Sequence, residues 1–245
     1  MRTSHAIVLL VLAAGCSPAP QPENGGPAKD APAVNQLTAQ EQADGWRLLF
    51  DGRTTAGWRG YRQAAIPAGW QVVDGALTRV AQAGDIVTEE EFDSFELALE
   101  WRVASGGNSG VFFHVVEDST LDYVWRSGPE MQVLDNAAHP DGRDPLTSAG
   151  SNFALHAPVR DVTRPAGEWN AARLVVDGAH VEHWLNGVRL LEYELGSADW
   201  EARVRGSKFA AMPRYGRAPR GHLALQDHGD RVAFRSIRIR TLPAR

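Results

Sequence analysis

The chain has 245 residues, 43% of them hydrophobic and 22% charged, with a formal net charge of -5. That charge is spread along the chain with no basic block, which excludes the electrostatic footprint of a nucleic-acid partner. A single cysteine excludes an intrachain disulfide and a cysteine-rich zinc site, so the fold must stand on its hydrophobic core.

Arg2, the apolar run from Ile7 to Ala14 and the small residues of Leu12-Ala13-Ala14-Gly15-Cys16 form an export signal. The run is too short for a permanent membrane helix. Cys16 stands where a lipoprotein signal is cut and the new terminus acylated, although Ala13 occupies a position where leucine is commoner. Residues 1–16 therefore predict an exported lipoprotein with Cys16 as its lipidation site. It would face the periplasm or sit on the outer membrane, as Ser17 hints, and the lipid would be its only membrane attachment. Residues 17–36 are Pro, Ala, Gly and Asn with almost no large apolar side chain. Such a stretch cannot offset its ordering entropy and reads as a flexible tether. The folded domain is expected over 37–245.

Thr38 with Glu41 three residues on predicts a capped helical turn at the start of that domain. Beyond Gly45 the pattern is one of strands. Asp74-Gly75, Asp177-Gly178 and Asn186-Gly187 each separate two short apolar runs, and these dipeptides accept the positive φ of tight hairpins. Phe95, Leu97, Leu99, Trp101 and Val103 share one face of a strand, and Val111, Phe113 and Val115 alternate likewise. His222 to Gln226 and Val232 to Ile239 read as the last two strands. From Asn136 to Ala166 small residues, Asp and Pro dominate; a loop of that length is functional or disordered, and on a sandwich it could fold over one sheet and help wall a pocket. The sum is an all-β sandwich or jelly roll.

Four groups of residues are candidates for chemistry. Asp227-His228 ends a strand before Gly229, where a carboxylate can orient an imidazole for acid/base work, although an ordinary solvated turn has the same pattern. Glu130 and Gln132 share one strand face while Met131 and Val133 point into the core; a carboxylate and an amide two residues apart can grip sugar hydroxyls, although an ordinary exposed strand face has the same pattern. Glu100 alternates against its apolar strand and is either solvated or joined to Glu130 in a carboxylate cluster. Asn108-Ser109-Gly110 is a turn signal first and a ligand contact second. Among the tryptophans, Trp58 and Trp125 lie outside clear strands and are the candidates for stacking on a sugar. No metal constellation stands out: His180 and His183 do not share a strand face, and His139, His156 and His222 are isolated. Calcium held by backbone and carboxylate oxygens would leave no sequence signature.

Taken in order, Leu48-Leu49-Phe50-Asp51-Gly52 with Gly57-Trp58, Phe95-Glu96-Leu97 with Glu100-Trp101-Arg102, and Gly107-Asn108-Ser109-Gly110-Val111 resemble one family. So do Glu130-Met131-Gln132-Val133-Leu134-Asp135-Asn136, Glu168-Trp169-Asn170, His183-Trp184-Leu185-Asn186-Gly187 and Gly221-His222-Leu223-Ala224-Leu225-Gln226-Asp227-His228-Gly229. The family is that of the 3-keto-disaccharide hydrolase domain, and the likeness runs from about Gly45 to Leu242. It implies a concanavalin-like jelly-roll sandwich of two curved antiparallel sheets. It also implies an oxidised sugar substrate, prepared by a separate sugar 3-dehydrogenase and cleaved by base-catalysed elimination and hydration. Within that scheme Glu130 or His228 would be the base and Asp227 would orient His228. Glu100, Asn108, Gln132 and Gln226 would hold hydroxyls, and Lys208 would face the oxyanion, a role a divalent metal such as calcium can also fill. The chain departs from the family in two places. Phe153-Ala154 replaces a frequent Tyr-Asp, and His114 stands where Arg is common. A non-catalytic sugar-binding module, or a two-carboxylate glycoside hydrolase using Glu130 and Glu100, are the alternative readings.

Overall fold

The structure is a computed structural model and describes residues 33–243. The export signal, Cys16 and most of the tether therefore lie outside the described residues. The predicted helical turn is α1 (Ala39–Ala43), with Thr38 and Glu41 forming the expected reciprocal cap. The fold begins slightly earlier than the domain boundary suggested. Asn35, at the end of the tether, donates to the Gly75 carbonyl at 2.8 Å and accepts from Ser236 N–H at 2.8 Å.

Thirteen strands follow among the described residues. They are β1 (Arg47–Leu48), β2 (Trp58–Gly60), β3 (Trp70–Val73), β4 (Ala76–Arg79), β5 (Ile86–Phe92), β6 (Phe95–Val103) and β7 (Asn108–Val115). Then come β8 (Glu130–Leu134), β9 (Asn170–Asp177), β10 (His180–Leu185), β11 (Val188–Glu194), β12 (Gly221–Leu225) and β13 (Val232–Thr241). A larger sheet runs β11-β10-β9-β6-β13-β4-β3, with β1 also on β13, and a five-stranded sheet runs β2-β5-β12-β7-β8. All pairings are antiparallel. The three dipeptide turns join β3 to β4, β9 to β10 and β10 to β11, with Asp74 (φ 50°) and Asn186 (φ 48°) in the left-handed region. This is the jelly-roll sandwich that the sequence indicated.

The core lies between the sheets. Phe95, Leu97, Leu99 and Trp101 of β6 meet Val111 and Phe113 of β7 and Met131 and Val133 of β8. Fully burying one side chain of this size stabilises the fold by about 2–3 kcal/mol. The predicted alternation fails at one place. His114 has φ 51°, and β7 carries one extra residue against β12 between Phe112 and Val115. This bulge turns Val115 away from the main core to join Phe112, Val87 and Ala224 on the other side of the sheet. Asn108-Ser109-Gly110 also differs from expectation: it is strand, and the turn lies just before it at Gly106 (φ 70°).

Candidate functional site

The outer face of the five-stranded sheet carries the site. Alternation along β8 sends Met131 and Val133 into the core and leaves Glu130 and Gln132 facing outward. Gly110 of β7 lies opposite Gln132, and Gln226 N–H donates to the Gly110 carbonyl at 3.1 Å as the chain leaves β12. The long loop folds over this face as predicted. It pairs with β8 through Gly150 N–H to the Gln132 carbonyl (2.8 Å) and Gln132 N–H to the Ser151 carbonyl (3.1 Å). The result is a pocket of about 270 Å³ lined by Asn108, Trp125, Glu130, Gln132, Asp141, Phe153, Lys208, Met212, Gln226 and His228. Seven residues singled out from the sequence meet there: Asn108, Trp125, Glu130, Gln132, Lys208, Gln226 and His228.

Glu130 is 6% exposed, and its carboxylate accepts no hydrogen bond from the described residues. Burial pushes its pKa up to about 8; the charge of Lys208 opposes the rise, and Asp85 and Asp141 add to it. Gly110 makes room for it, because a Cβ there would stand 2.2 Å from Glu130 Oε1. Lys208 faces the same pocket with its Nζ 4.1 Å from the centre of the Phe153 ring and 5.2 Å from that of Phe209. Burial lowers its pKa, against the pull of Glu130 and Asp141. The Phe153 ring thus steadies an ammonium group.

Gln132 Nε2 donates to the Thr147 carbonyl at 3.2 Å, which fixes the amide and leaves buried Oε1 without a donor. Gln226 Oε1 is likewise buried and unpartnered. Orphaned acceptors of this kind cost free energy until a ligand supplies donors, and hydroxyl groups are suitable ones. Asn108 lies 3.5 Å from His139 Nε2. His139 Nδ1 accepts from Asp141 N–H at 3.1 Å. The Asn108 atom nearest His139 is Nδ2, and its Oδ1 is buried without a partner.

Three expected site residues lie elsewhere. Asp227 does not orient His228. Its carboxylate accepts from Arg79 Nε (2.7 Å) and from the N–H groups of Ala83 (2.6 Å), Gly84 (2.9 Å) and Gly229 (3.0 Å). Burial alone would raise its pKa, but these donors hold it below the usual carboxylate value. The side chain is 3% exposed and ties the end of β12 to the loop before β5. Asp227→Ala would strand the Arg79 guanidinium and is expected to cost roughly 3 kcal/mol, read as a lower urea midpoint. Glu100 sits on the outer face of the larger sheet, paired with Arg235 at 2.8 Å, and does not join Glu130. Core packing wins at Trp58, which is 4% exposed and donates through its indole N–H to the Leu49 carbonyl at 2.7 Å. Trp125 remains at the rim, stacked on Tyr123 with ring centres 5.2 Å apart.

Asp141, Met212 and His139, in or beside the site, escaped the sequence reading because they arrive on irregular segments with no period to read. His139, read as isolated, meets the exposed His228 edge to face at 6.4 Å. The departure at His114 lies away from the pocket: its Nε2 faces the Asp93 carbonyl at 2.7 Å, and its ring packs between Phe95 and Phe113. Ligand atoms of His180, Glu182 and Glu192 approach within 4.8 Å of one another, but Trp184 and Arg189 already donate to those carboxylates. In the pocket, Glu130, Asp141 and Gln132 Oε1 are hard oxygen donors of the kind calcium takes, with Lys208 competing for the same space.

Comparison with known proteins agrees with this architecture. Residues 45–240 match the family described as 3-keto-alpha-glucoside-1,2-lyase-like domain. A 3-keto-disaccharide hydrolase of Bacteroides thetaiotaomicron is 34% identical over 242 residues, covering 86% of this chain and 83% of the relative. A crystal structure of a candidate glycosyl hydrolase from Parabacteroides distasonis superposes with a TM-score of 0.81 at 34% identity, covering 86% of this chain and all of the other. A second such protein from the same organism gives 0.63 at 26% identity, covering 80% and 99%. The chain therefore belongs to the 3-keto-alpha-glucoside-1,2-lyase-like family, and its activity is of the glycoside hydrolase type.

Proposed function

We propose that the pocket cleaves 3-keto-glycosides by proton abstraction, elimination and hydration. The observation that carries the reading is Glu130: a buried, unbonded carboxylate facing an ammonium group across a pocket lined with unsatisfied amide oxygens. A ketone at C3 acidifies the C2 hydrogen. A carboxylate with a raised pKa is a stronger base for it than an ordinary glutamate. Lys208 would meet the enolate oxygen as charge develops there, in a site where partial exclusion of water strengthens the interaction. Gln132 and Gln226 would take hydroxyl donors and fix the ring. The substrate must come from an enzyme that oxidises the sugar at C3. Export and a lipid anchor at Cys16 would put this chemistry at a membrane surface.

The test is product analysis with a 3-keto-glucoside and its unoxidised parent, each with and without a chelator. Release of 3-keto-glucose or its unsaturated precursor from the oxidised sugar alone is expected. Cleavage of the parent would favour ordinary glycoside hydrolysis. Binding without cleavage would favour a sugar-holding module. Loss of turnover with chelator would transfer the charge role from Lys208 to a metal.

A further inference from the structure

A second hollow of about 330 Å³ adjoins the pocket and shares Trp125, Gln226 and His228 with it. Its own walls include Tyr61, Asp85 and Tyr123. Tyr123 lies nearly parallel to Trp125, at 10°, and is 51% exposed, so the hollow offers a flat apolar face. Asp85 is the carboxylate of this hollow without a cationic partner among the described residues; its Oδ1 accepts Asp227 N–H at 2.9 Å.

The sheet sets the distance between Asp85 and Glu130. Ile86 pairs with Leu225, and Leu225 with Val111, so one step further along the ladder Asp85, Gln226 and Gly110 stand side by side. Directly opposed residues share a face. Strands are about 4.8 Å apart, which puts Asp85 about 10 Å from Gly110, the bare position over which the Glu130 carboxylate lies. Two carboxyl groups on one face, with Gln226 between them, leave a gap on the scale of the C2–C1–O1 edge of a sugar ring.

We propose that this hollow receives the leaving group and that Asp85 protonates the leaving oxygen; the assignment rests on the 3-keto reading above. The step balances. Glu130 takes the proton from C2, and the C–H electron pair becomes the C1–C2 double bond. The C1–O pair passes to the leaving oxygen, which takes the proton of Asp85. Hydration runs the transfers backward. Water adds its oxygen to C1 while Asp85 recovers a proton, and Glu130 returns its proton to C2. The other candidates of this hollow are engaged or exposed: Asp227 is held by Arg79 and backbone donors, the Tyr61 hydroxyl donates to the Val116 and Leu121 carbonyls, and Asp122, Tyr123 and His228 are exposed.

Burial supports the assignment by raising the Asp85 carboxyl to about 6, with the Asp227 N–H bond opposing. Glu130, at about 8, still holds its proton more tightly. The productive form, ionised Glu130 with protonated Asp85, is thus the minor one of the pair. That cost is smaller than the combined gain from two positioned proton-transfer groups, each about 10²–10⁴-fold.

The experiment compares Asp85→Asn with the unaltered protein on two oxidised substrates. One carries 4-nitrophenolate, which departs without a proton; the other is a 3-keto-disaccharide, whose sugar alkoxide needs one. The expected result is a loss of about a hundredfold or more on the disaccharide and under about fivefold on the nitrophenyl substrate. The nitrophenyl activity also reports that the variant is folded. Equal losses on both substrates would overturn the assignment. So would leaving-group dependence in Glu130→Gln instead, which would exchange the two roles. If the unaltered protein leaves both oxidised substrates intact, the 3-keto reading itself falls, and this assignment with it.

Discussion

Replacing Glu130 with glutamine is expected to lower turnover of a 3-keto-glucoside by about a thousandfold or more, the order of a lost general base. The same change should make the fold more stable in alkali. Glu130 has a folded pKa raised from 4.5 to about 8, by burial first, with Lys208 opposing and Asp85 and Asp141 adding. A group raised in this way favours the folded state fully below its unfolded pKa, and that advantage is lost as pH rises through the folded value. The thermal midpoints of the two proteins should therefore coincide near pH 4.5 and diverge above it. In alkali, about one pH step above the folded value, the glutamine variant should gain on the order of 5 kcal/mol, because a tenfold change in proton affinity corresponds to about 1.4 kcal/mol. Equal midpoints there would show that Glu130 is not held against a desolvation cost. A variant that keeps most of its turnover would show that the side chain works as a neutral donor, since the amide retains N–H groups.

The second large effect is expected at a residue with no side chain. In Gly110→Ala the new Cβ would lie 2.2 Å from Glu130 Oε1 and 2.9 Å from the Phe112 ring. Gly110 has an ordinary strand conformation, so the problem is one of space. The carboxylate can swing aside, and the fold should lose only about 1–2 kcal/mol. The displaced base is costlier: a shift of about 1 Å from a productive geometry lowers turnover about a hundredfold. Adding Gly110→Ala to Glu130→Gln should cause little further loss, because the residue acts through the carboxylate it accommodates. Additive losses in that cycle would assign Gly110 to contact with the substrate itself.

Glu130, Gln132 and their partners were legible in the sequence because strand alternation is a strict code: once Met131 and Val133 are core, the residues beside them must face out. The hairpins and the cap at Thr38 were legible because their dipeptides and spacings have few other uses. Asp227 and Trp58 misled for a physical reason. A carboxylate and an indole look alike in sequence whether they meet a ligand or a backbone, and here Ala83, Gly84 and the Leu49 carbonyl claimed them. Glu100 shows the limit of alternation, which tells outward from inward but not which sheet's outside. Asp85 was missed because it sits at a strand mouth, where its importance comes from cross-strand neighbours 25 to 141 residues away in the chain, Gly110 and Gln226.

The loop that roofs the pocket also occupies the free margin of β8, the last strand of its sheet. Gly150, Ser151 and Phe153 take up the outward-facing backbone groups of Glu130 and Gln132. An unclaimed margin would present a template on which another chain can lay a strand. For a protein crowded among copies of itself, such contact is a route to aggregation. Substitutions between Thr147 and Leu155 that loosen the loop therefore carry two liabilities at once, and loss of solubility can precede loss of substrate binding.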